Sequence, residues 1–268
     1  MTEPEIVVVA DAAELAVEAA ERIVAALDGA IVARRRADWA TTGGSTPVRI
    51  YRQLVAAPLR DAVDWASVHV WWGDDRYVPR DHPLSNVKAF DDVMLDVGDF
   101  EEGTAGGTGR GVPIPVSHVH PFPVTEAIGD GRGAAWCAAT LAEELRGADV
   151  PGSDGWPAFD LVLLGVGGDG HLLSVFPGSP ALDSSDLALA IPAPTHIEPH
   201  VERVTLNPAV IAAARSVLVV VAGADKADAI AAIFGEDVEP RRWPAQLARR
   251  SGATWILDAG AAGSLPGR

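Results

Sequence analysis

Cysteine is nearly missing from this chain, and its cationic side chains are well outnumbered by acidic ones. Its one cysteine, Cys137, excludes an internal disulfide and offers no metal-ligand spacing, and in an alanine-rich stretch it reads as a small helix residue. Lys and Arg number 21 against 37 Asp and Glu, a formal net charge of −16. That balance argues against nucleic acid and anionic membrane as partners, because both demand a basic face. A phosphorylated substrate then needs locally placed cations. Long apolar runs are missing as well: stretches such as Val217 to Ala222 fall far short of the ~20 residues that span a bilayer. The opening MTEPE lacks the basic segment of a secretory signal. The expectation is a cytoplasmic protein, working as a monomer or small homo-oligomer.

What is present is enough apolar material, 48% of 268 residues, to bury a full core. Strand-like and helix-like segments alternate, which predicts an α/β fold: a Rossmann-like, doubly wound, mostly parallel sheet with helices on both faces. Strands are expected at Ile6 to Ala10, Trp39 to Thr42, Val68 to Trp72, Leu161 to Gly165, Leu187 to Ile191, Val217 to Ala222 and Thr254 to Asp258. Asp11 with Glu14 forms a capping box for a helix over Ala12 to Leu27, Thr46 and Pro47 open another, and Asn207 and Pro208 a third. Residues 1–258 read as a single domain. Within it, the Gly-rich run 101–111, EEGTAGGTGRG, reads as a flexible loop, and 259–268 as a loose tail.

The segment 160–177, DLVLLGVGGDGHLLSVFP, carries the densest signal. A buried parallel strand runs into a glycine turn that presents Asp169 and His171 at its carboxyl end, where open α/β sheets bind ligands. Gly165 to Gly170 also matches the dinucleotide pattern G-x-G-x-x-G. That reading fails on context, since Pro177 and Gly178 stop any helix after about two turns of ~3.6 residues, and a dinucleotide site needs a long one. An imidazole titrates near neutral pH, so His171 suits proton transfer, and Asp169 is placed to orient its ring and fix its tautomer.

Three further constellations could hold an anion. Gly43, Gly44, Ser45 and Thr46 follow a strand end and open a helix, where backbone N–H groups point outward. Trp71 and Trp72 are expected to pack on opposite faces of a strand whose end carries Asp74, Asp75 and Arg76, placing Asp74 and Arg76 among the candidate ligand contacts. Arg203, in the alternating ERVTLNP, points away from the apolar side. Lys226 falls in the first turn of a helix, where the macrodipole disfavours a cation unless an anion or Asp225 and Asp228 relieve it.

Taken in order, TGGSTP, DDRYVP with HPLSN, GVGGDGHLLSVFPGS, and RVTLNP followed by AGADKA resemble the 6-phosphogluconolactonase family, over roughly Ile6 to Asp258. That family sits with glucosamine-6-phosphate deaminases in a Rossmann-like group related to ribose-5-phosphate isomerase. The resemblance implies a sugar-phosphate enzyme without cofactor or metal, which hydrolyses 6-phospho-D-glucono-1,5-lactone to 6-phosphogluconate in the oxidative pentose phosphate pathway. It makes His171 the general base, Asp169 its neighbour, Gly43 to Thr46 a phosphate cradle, and Arg76, Arg203 and Lys226 substrate contacts. Two alternatives stand beside it: a deaminase/isomerase, and a sugar-phosphate-binding protein without catalysis. Deaminases resemble Asn-Glu before the proline of the third segment, where this chain has Val175-Phe176, and an apolar ring moves no protons. The chain departs from the lactonase pattern in having Asp75 where Glu is usual, and Leu172-Leu173 where a smaller pair follows the histidine.

Overall fold

The runs 37–41, 68–72, 161–165, 217–221 and 253–258 are buried along nearly their whole length, as in strands covered on both faces. The computed structural model describes residues 3–95, 111–148, 150–153 and 155–265. In chain order the strands are β1 (Glu5–Val9), β2 (Ala37–Thr41), β3 (Val68–Trp72), β4 (Asp74–Arg76), β5 (Val119–His120), β6 (Gly152–Ser153), β7 (Trp156–Pro157), β8 (Leu161–Gly165), β9 (Ala188–Ile191), β10 (Arg203–Leu206), β11 (Val217–Val221) and β12 (Ala253–Asp258). The α-helices are α1 (Ala12–Arg34), α2 (Ser45–Leu54), α3 (Asn86–Phe90), α4 (Val124–Gly129), α5 (Ala134–Gly147), α6 (Ala209–Ala213) and α7 (Ala227–Ile233).

Seven strands form one sheet in the order β1-β12-β11-β8-β2-β3-β5, and every neighbouring pair in it is parallel. The expected α/β sheet is therefore present. The chain winds outward from β2 through β3 to β5, then returns to β8 and winds the other way through β11 to β12. Helix α1 packs across β12, β2, β11 and β8 and against α2. Asp11 caps its start as expected, accepting from the Ala13 and Glu14 amides, while Glu14 reaches one residue beyond the cap and accepts from the Ala10 amide at 3.0 Å. It runs on past Leu27 to Arg34, ending where Arg35 turns to φ 61°.

A second sheet of three antiparallel strands, β4-β10-β9, stands beside the first. This corrects one expectation. The strand predicted at 187–191 belongs here, because β9 returns to β10 through a connection without a helix, and such neighbours pair antiparallel. The end of the chain differs too. Asp258 accepts from the Gly223 and Ala261 amides, Ala261–Ser264 forms a 3-10 turn, and Ala261 and Ala262 are buried, so the segment expected to be loose from 259 is held to 264. Of the Gly-rich run 101–111, residues 101–110 lie outside the described residues.

Beneath the sheet ends, aromatic rings set the floor. Tyr51 and Phe90 meet edge to face at 5.3 Å, Trp72 and Phe90 do the same at 5.3 Å, and Trp39 meets Tyr51 at 6.1 Å. Trp71 leaves the other side of β3 and donates its indole N–H to Asp38, so the two tryptophans do face opposite ways. Among the described residues no helix is long and apolar enough to cross a membrane.

Candidate active site

Strands β2 and β8 are neighbours at the centre of the sheet, and the winding reverses between them. A crevice forms at the carboxyl ends of two such strands, because their connections leave in opposite directions. The sequence runs on from β2 into Thr42–Ser45 and from β8 into the turn Val166–His171, so both predicted motifs meet at this point.

The first motif is locked from below. Tyr51 of α2 donates its hydroxyl to Thr42 O at 2.6 Å and accepts from Thr41 Oγ1 at 2.7 Å, which ties the helix to the strand end it follows. Helix α2 begins at Ser45, with Gly44 as its N-cap at φ 107° and no side chain capping the first turn. The cap is thus Gly44 and not Thr46, as the sequence alone suggested. Glycine reaches that dihedral without strain, and Pro47 fits the first turn because it has no N–H to satisfy. Uncapped amides at the start of a helix are left for an anion. Gly43 is needed for another reason: a Cβ there would lie 2.1 Å from Asn86 Oδ1. A cavity of about 470 Å³ opens beside this turn, lined by Gly44, Ser45, Arg76, Ser85 and Asn86 together with Arg49 and Arg52.

The second motif forms β4. Asp74 is buried and both its oxygens are taken: Oδ2 accepts from Ser174 Oγ at 2.6 Å, and Oδ1 from Asn86 Nδ2 at 3.3 Å and Thr42 Oγ1 at 3.5 Å. It ties the cradle, the start of α3 and the histidine turn together. Asp75 accepts from the Asn86 and Arg76 amides at 2.7 and 2.8 Å and from Ser85 Oγ at 3.1 Å, yet burial pushes its carboxyl up to about 7, with the charge of Asp74 adding to the rise.

Arg76 and Arg203 sit directly opposite each other in the β4–β10 pair. Like charges in such a cross-strand position repel. Arg203 is also buried, and burial first and Arg76 second act against its charge. Arg76 donates from Nη1 to Leu84 O at 2.7 Å, while its buried Nε has no protein acceptor. Two cations held side by side, one with an unused donor, make a site for an anionic group. Arg203 has a structural task as well, donating to Pro199 O at 3.0 Å and Val201 O at 3.3 Å and so holding the β9–β10 connection.

The glycine turn after β8 does present its histidine at the sheet end. His171 Nδ1 lies 2.5 Å from Asp169 Oδ1, and its backbone amide reaches the same oxygen at 3.2 Å. A carboxylate only accepts, so Nδ1 carries a proton, and in the neutral ring the free lone pair is the one on Nε2. Burial works against the charge of Asp169, but hydrogen bonding and charge from His171, with a bond from His196, outweigh it and hold the carboxyl well below the usual range. No helix follows the glycines. Leu173 takes φ 54°, a bridge joins Leu172 to Val175, and Ser174 is bound to Asp74 and Thr205, which together fix residues 171–177 as a turn. Leu172 and Leu173 are buried, so this departure from the lactonase pattern packs into the hydrophobic core.

Phe176 links the two halves of the site. Its ring is 4.7 Å from that of His171, and the Arg203 guanidinium lies 5.9 Å from its centre. Lys226 closes the same turn from the other side: a Cβ on Gly168 would stand 3.7 Å from its Nζ. Lys226 ends a 3-10 turn just before α7 and pairs with Asp225 at 3.0 Å. Contacts therefore link the predicted residues: Asp74 joins the cradle to the histidine turn, and Phe176 joins His171 to Arg203 and its strand partner Arg76. Of these residues, Gly44, Ser45 and Arg76 line the cavity, whereas Asp169, His171, Arg203 and Lys226 are not part of its lining. Sequence reading missed Ser85, Asn86 and Ser174, which order the acidic pair, and His196, which reaches Asp169 from the β9–β10 connection.

Comparison with known proteins places the whole chain in a family. A family model described as glucosamine-6-phosphate isomerases/6-phosphogluconolactonase matches residues 10–256. The 6-phosphogluconolactonase of Mycobacterium tuberculosis is 35% identical over 254 residues, 94% of either chain. That of Synechocystis sp. is 35% identical over 230 residues, 85% of either chain. The solved structure of 6-phosphogluconolactonase from Trypanosoma brucei superposes with a TM-score of 0.81 at 27% identity, covering 99% of this chain and 100% of that one.

Proposed function

Because this chain belongs to the glucosamine-6-phosphate isomerase/6-phosphogluconolactonase family, we propose that its crevice hydrolyses 6-phospho-D-glucono-1,5-lactone to 6-phosphogluconate with His171 as general base. The observation that carries this reading is the His171–Asp169 pair set one aromatic ring away from the facing cations Arg76 and Arg203.

The substrate is a dianionic ester whose reacting carbonyl and phosphate lie at opposite ends. Arg76, Arg203 and Lys226, with the uncapped amides at Gly44–Thr46, supply the positive end that the chain's overall charge of −16 does not. His171 Nε2 takes a proton from water while Asp169 steadies the imidazolium that forms. The resulting hydroxide adds to C1 of the lactone. The tetrahedral oxyanion collapses with cleavage of the C1–O5 bond, and His171 returns its proton to O5, leaving a free carboxylic acid that ionises at neutral pH. In the glycine turn the Gly167 and Gly170 amides already donate to His171 O and Gly167 O, so the oxyanion takes its backbone donors from Gly168 and Asp169 in this reading.

The other activity in the family name requires a second proton carrier at the sugar's C1–C2 edge. In this chain the position beside His171 is filled by the buried ring of Phe176, which exchanges no proton. The test is a paired assay on purified protein. Acid release from 6-phosphogluconolactone above the spontaneous rate supports the reading, whereas ammonia release from glucosamine 6-phosphate, or lactone binding without acceleration, overturns it.

A further inference from the structure

One carboxylate at the heart of the site serves two imidazoles. Asp169 Oδ1 faces His171 Nδ1 at 2.5 Å, and Asp169 Oδ2 accepts from His196 Nε2 at 2.9 Å. His196 comes from a different sheet: it lies on the connection between β9 and β10, 27 positions along the chain from Asp169. That connection is held at several points. His200 Nδ1 donates to Pro194 O at 2.7 Å, and the Arg203 guanidinium donates to Pro199 O and Val201 O. The His196 ring itself stands edge-on to Phe176, 5.6 Å away at 89°, on the same aromatic side chain that packs against His171. Its side chain is about half exposed (49%), against 19% for Asp169 and 20% for His171.

The terminal torsion of an aspartate is soft and roughly two-fold, so a single hydrogen bond leaves the carboxylate plane free to swing. A second donor on the other oxygen removes that freedom. With Oδ2 held by His196, Oδ1 is fixed against His171 Nδ1, and the orientation of the ring, and so of its Nε2, is fixed with it. Small misplacements of a base are costly, because its reach to the attacking water is set to within a fraction of an ångström.

We propose that His196 is a positioning residue for the lactonase reaction: its Nε2–H fixes the Asp169 carboxylate and, through it, the His171 ring. The inference rests on His171 being the base, and it adds a requirement the glycine turn does not carry within itself, a donor delivered by the small sheet. A Gln at this position keeps an N–H donor at nearly the same reach, and an Ala removes it.

The test compares wild type, His196→Ala and His196→Gln. Steady-state lactone hydrolysis is expected to show kcat about tenfold lower in His196→Ala with KM within about twofold, and kcat within about threefold of wild type in His196→Gln. Unchanged kcat in His196→Ala, a rise in KM alone, or a His196→Gln protein as slow as His196→Ala overturns the proposal. A second readout separates it from the lactonase reading. In proton NMR of 15N-histidine-labelled protein, the His171 Nδ1–H signal should be sharp in wild type, broadened by exchange in His196→Ala and restored in His196→Gln. If wild type hydrolyses no lactone, the reading of the reaction fails while this signal still decides the positioning role. A signal equally sharp in all three proteins ends the proposal whatever the activity.

Discussion

Gly167 lies against the ring of His171 so closely that a Cβ on it would stand 2.1 Å from both Nδ1 and Cε1. The absence of a side chain at Gly167 therefore sets where the imidazole rests. Gly167→Ala must push the ring off Asp169, and kcat is expected to fall at least about tenfold, as for a misplaced base. Gly168→Ala is the control, because a Cβ there meets only Lys226 Nζ at the ordinary distance of 3.7 Å. It should keep near wild-type kcat in the same assay.

Asp74 is held by Ser174 Oγ at 2.6 Å with both groups buried. Ser174→Ala removes one bond to an ionised group and leaves that oxygen short of a donor. Urea denaturation should show a loss of about 1–3 kcal/mol. A variant as stable as wild type would contradict the role given to Asp74 in tying the cradle to the histidine turn.

Asp75 predicts a pH dependence of stability. Its carboxyl is pushed from 3.8 up to about 7, chiefly by burial. A folded-state pKa above the unfolded one means the fold favours the protonated form, so this group's contribution is full below about pH 4 and is lost as pH rises through about 7. Asp75→Asn has no such loss. The difference in melting temperature should move in the variant's favour between about pH 5 and about pH 8, roughly the span of that titration, and a constant difference would contradict the assignment.

At the other end of the pH scale stands a cluster at the sheet edge. His69 Nδ1 and His120 Nε2 are 3.0 Å apart, His118 stacks on His69 at 3.8 Å, and Glu144 takes the far side of His120. Burial, and next the charge of Arg36, hold His69 down at about 4 instead of 6.5. A lowered folded-state pKa gives stability that is present above 6.5 and lost as pH falls toward 4. His69→Gln should therefore lose less stability than wild type over that interval, measured by urea midpoints at each pH.

The central strands were legible in the sequence because their apolar runs sit between turn residues; Val68–Trp72 and Leu161–Gly165 begin and end where expected. The Asp11 cap was legible for the same local reason. What escaped reading was non-local. The strand at 188–191 looks like its parallel neighbours, and only its partner, β10, makes it antiparallel. The turn after Gly170 is held by Ser174 reaching back to Asp74, 100 positions earlier. Thr46 looks like a cap, but the dihedral that starts α2 belongs to Gly44. His196 carries no local mark at all, since a histidine in APTHIEPH gains meaning only when the small sheet brings it to Asp169.

The most direct test of the account is the rate of acid release from 6-phosphogluconolactone by wild type and His171→Ala at neutral pH, with spontaneous hydrolysis subtracted. Removing a positioned general base should lower kcat by about 10²–10⁴-fold while the cations at Arg76 and Arg203 leave KM within a few-fold. A His171→Ala protein that hydrolyses the lactone as fast as wild type would contradict the assignment of His171 as the base.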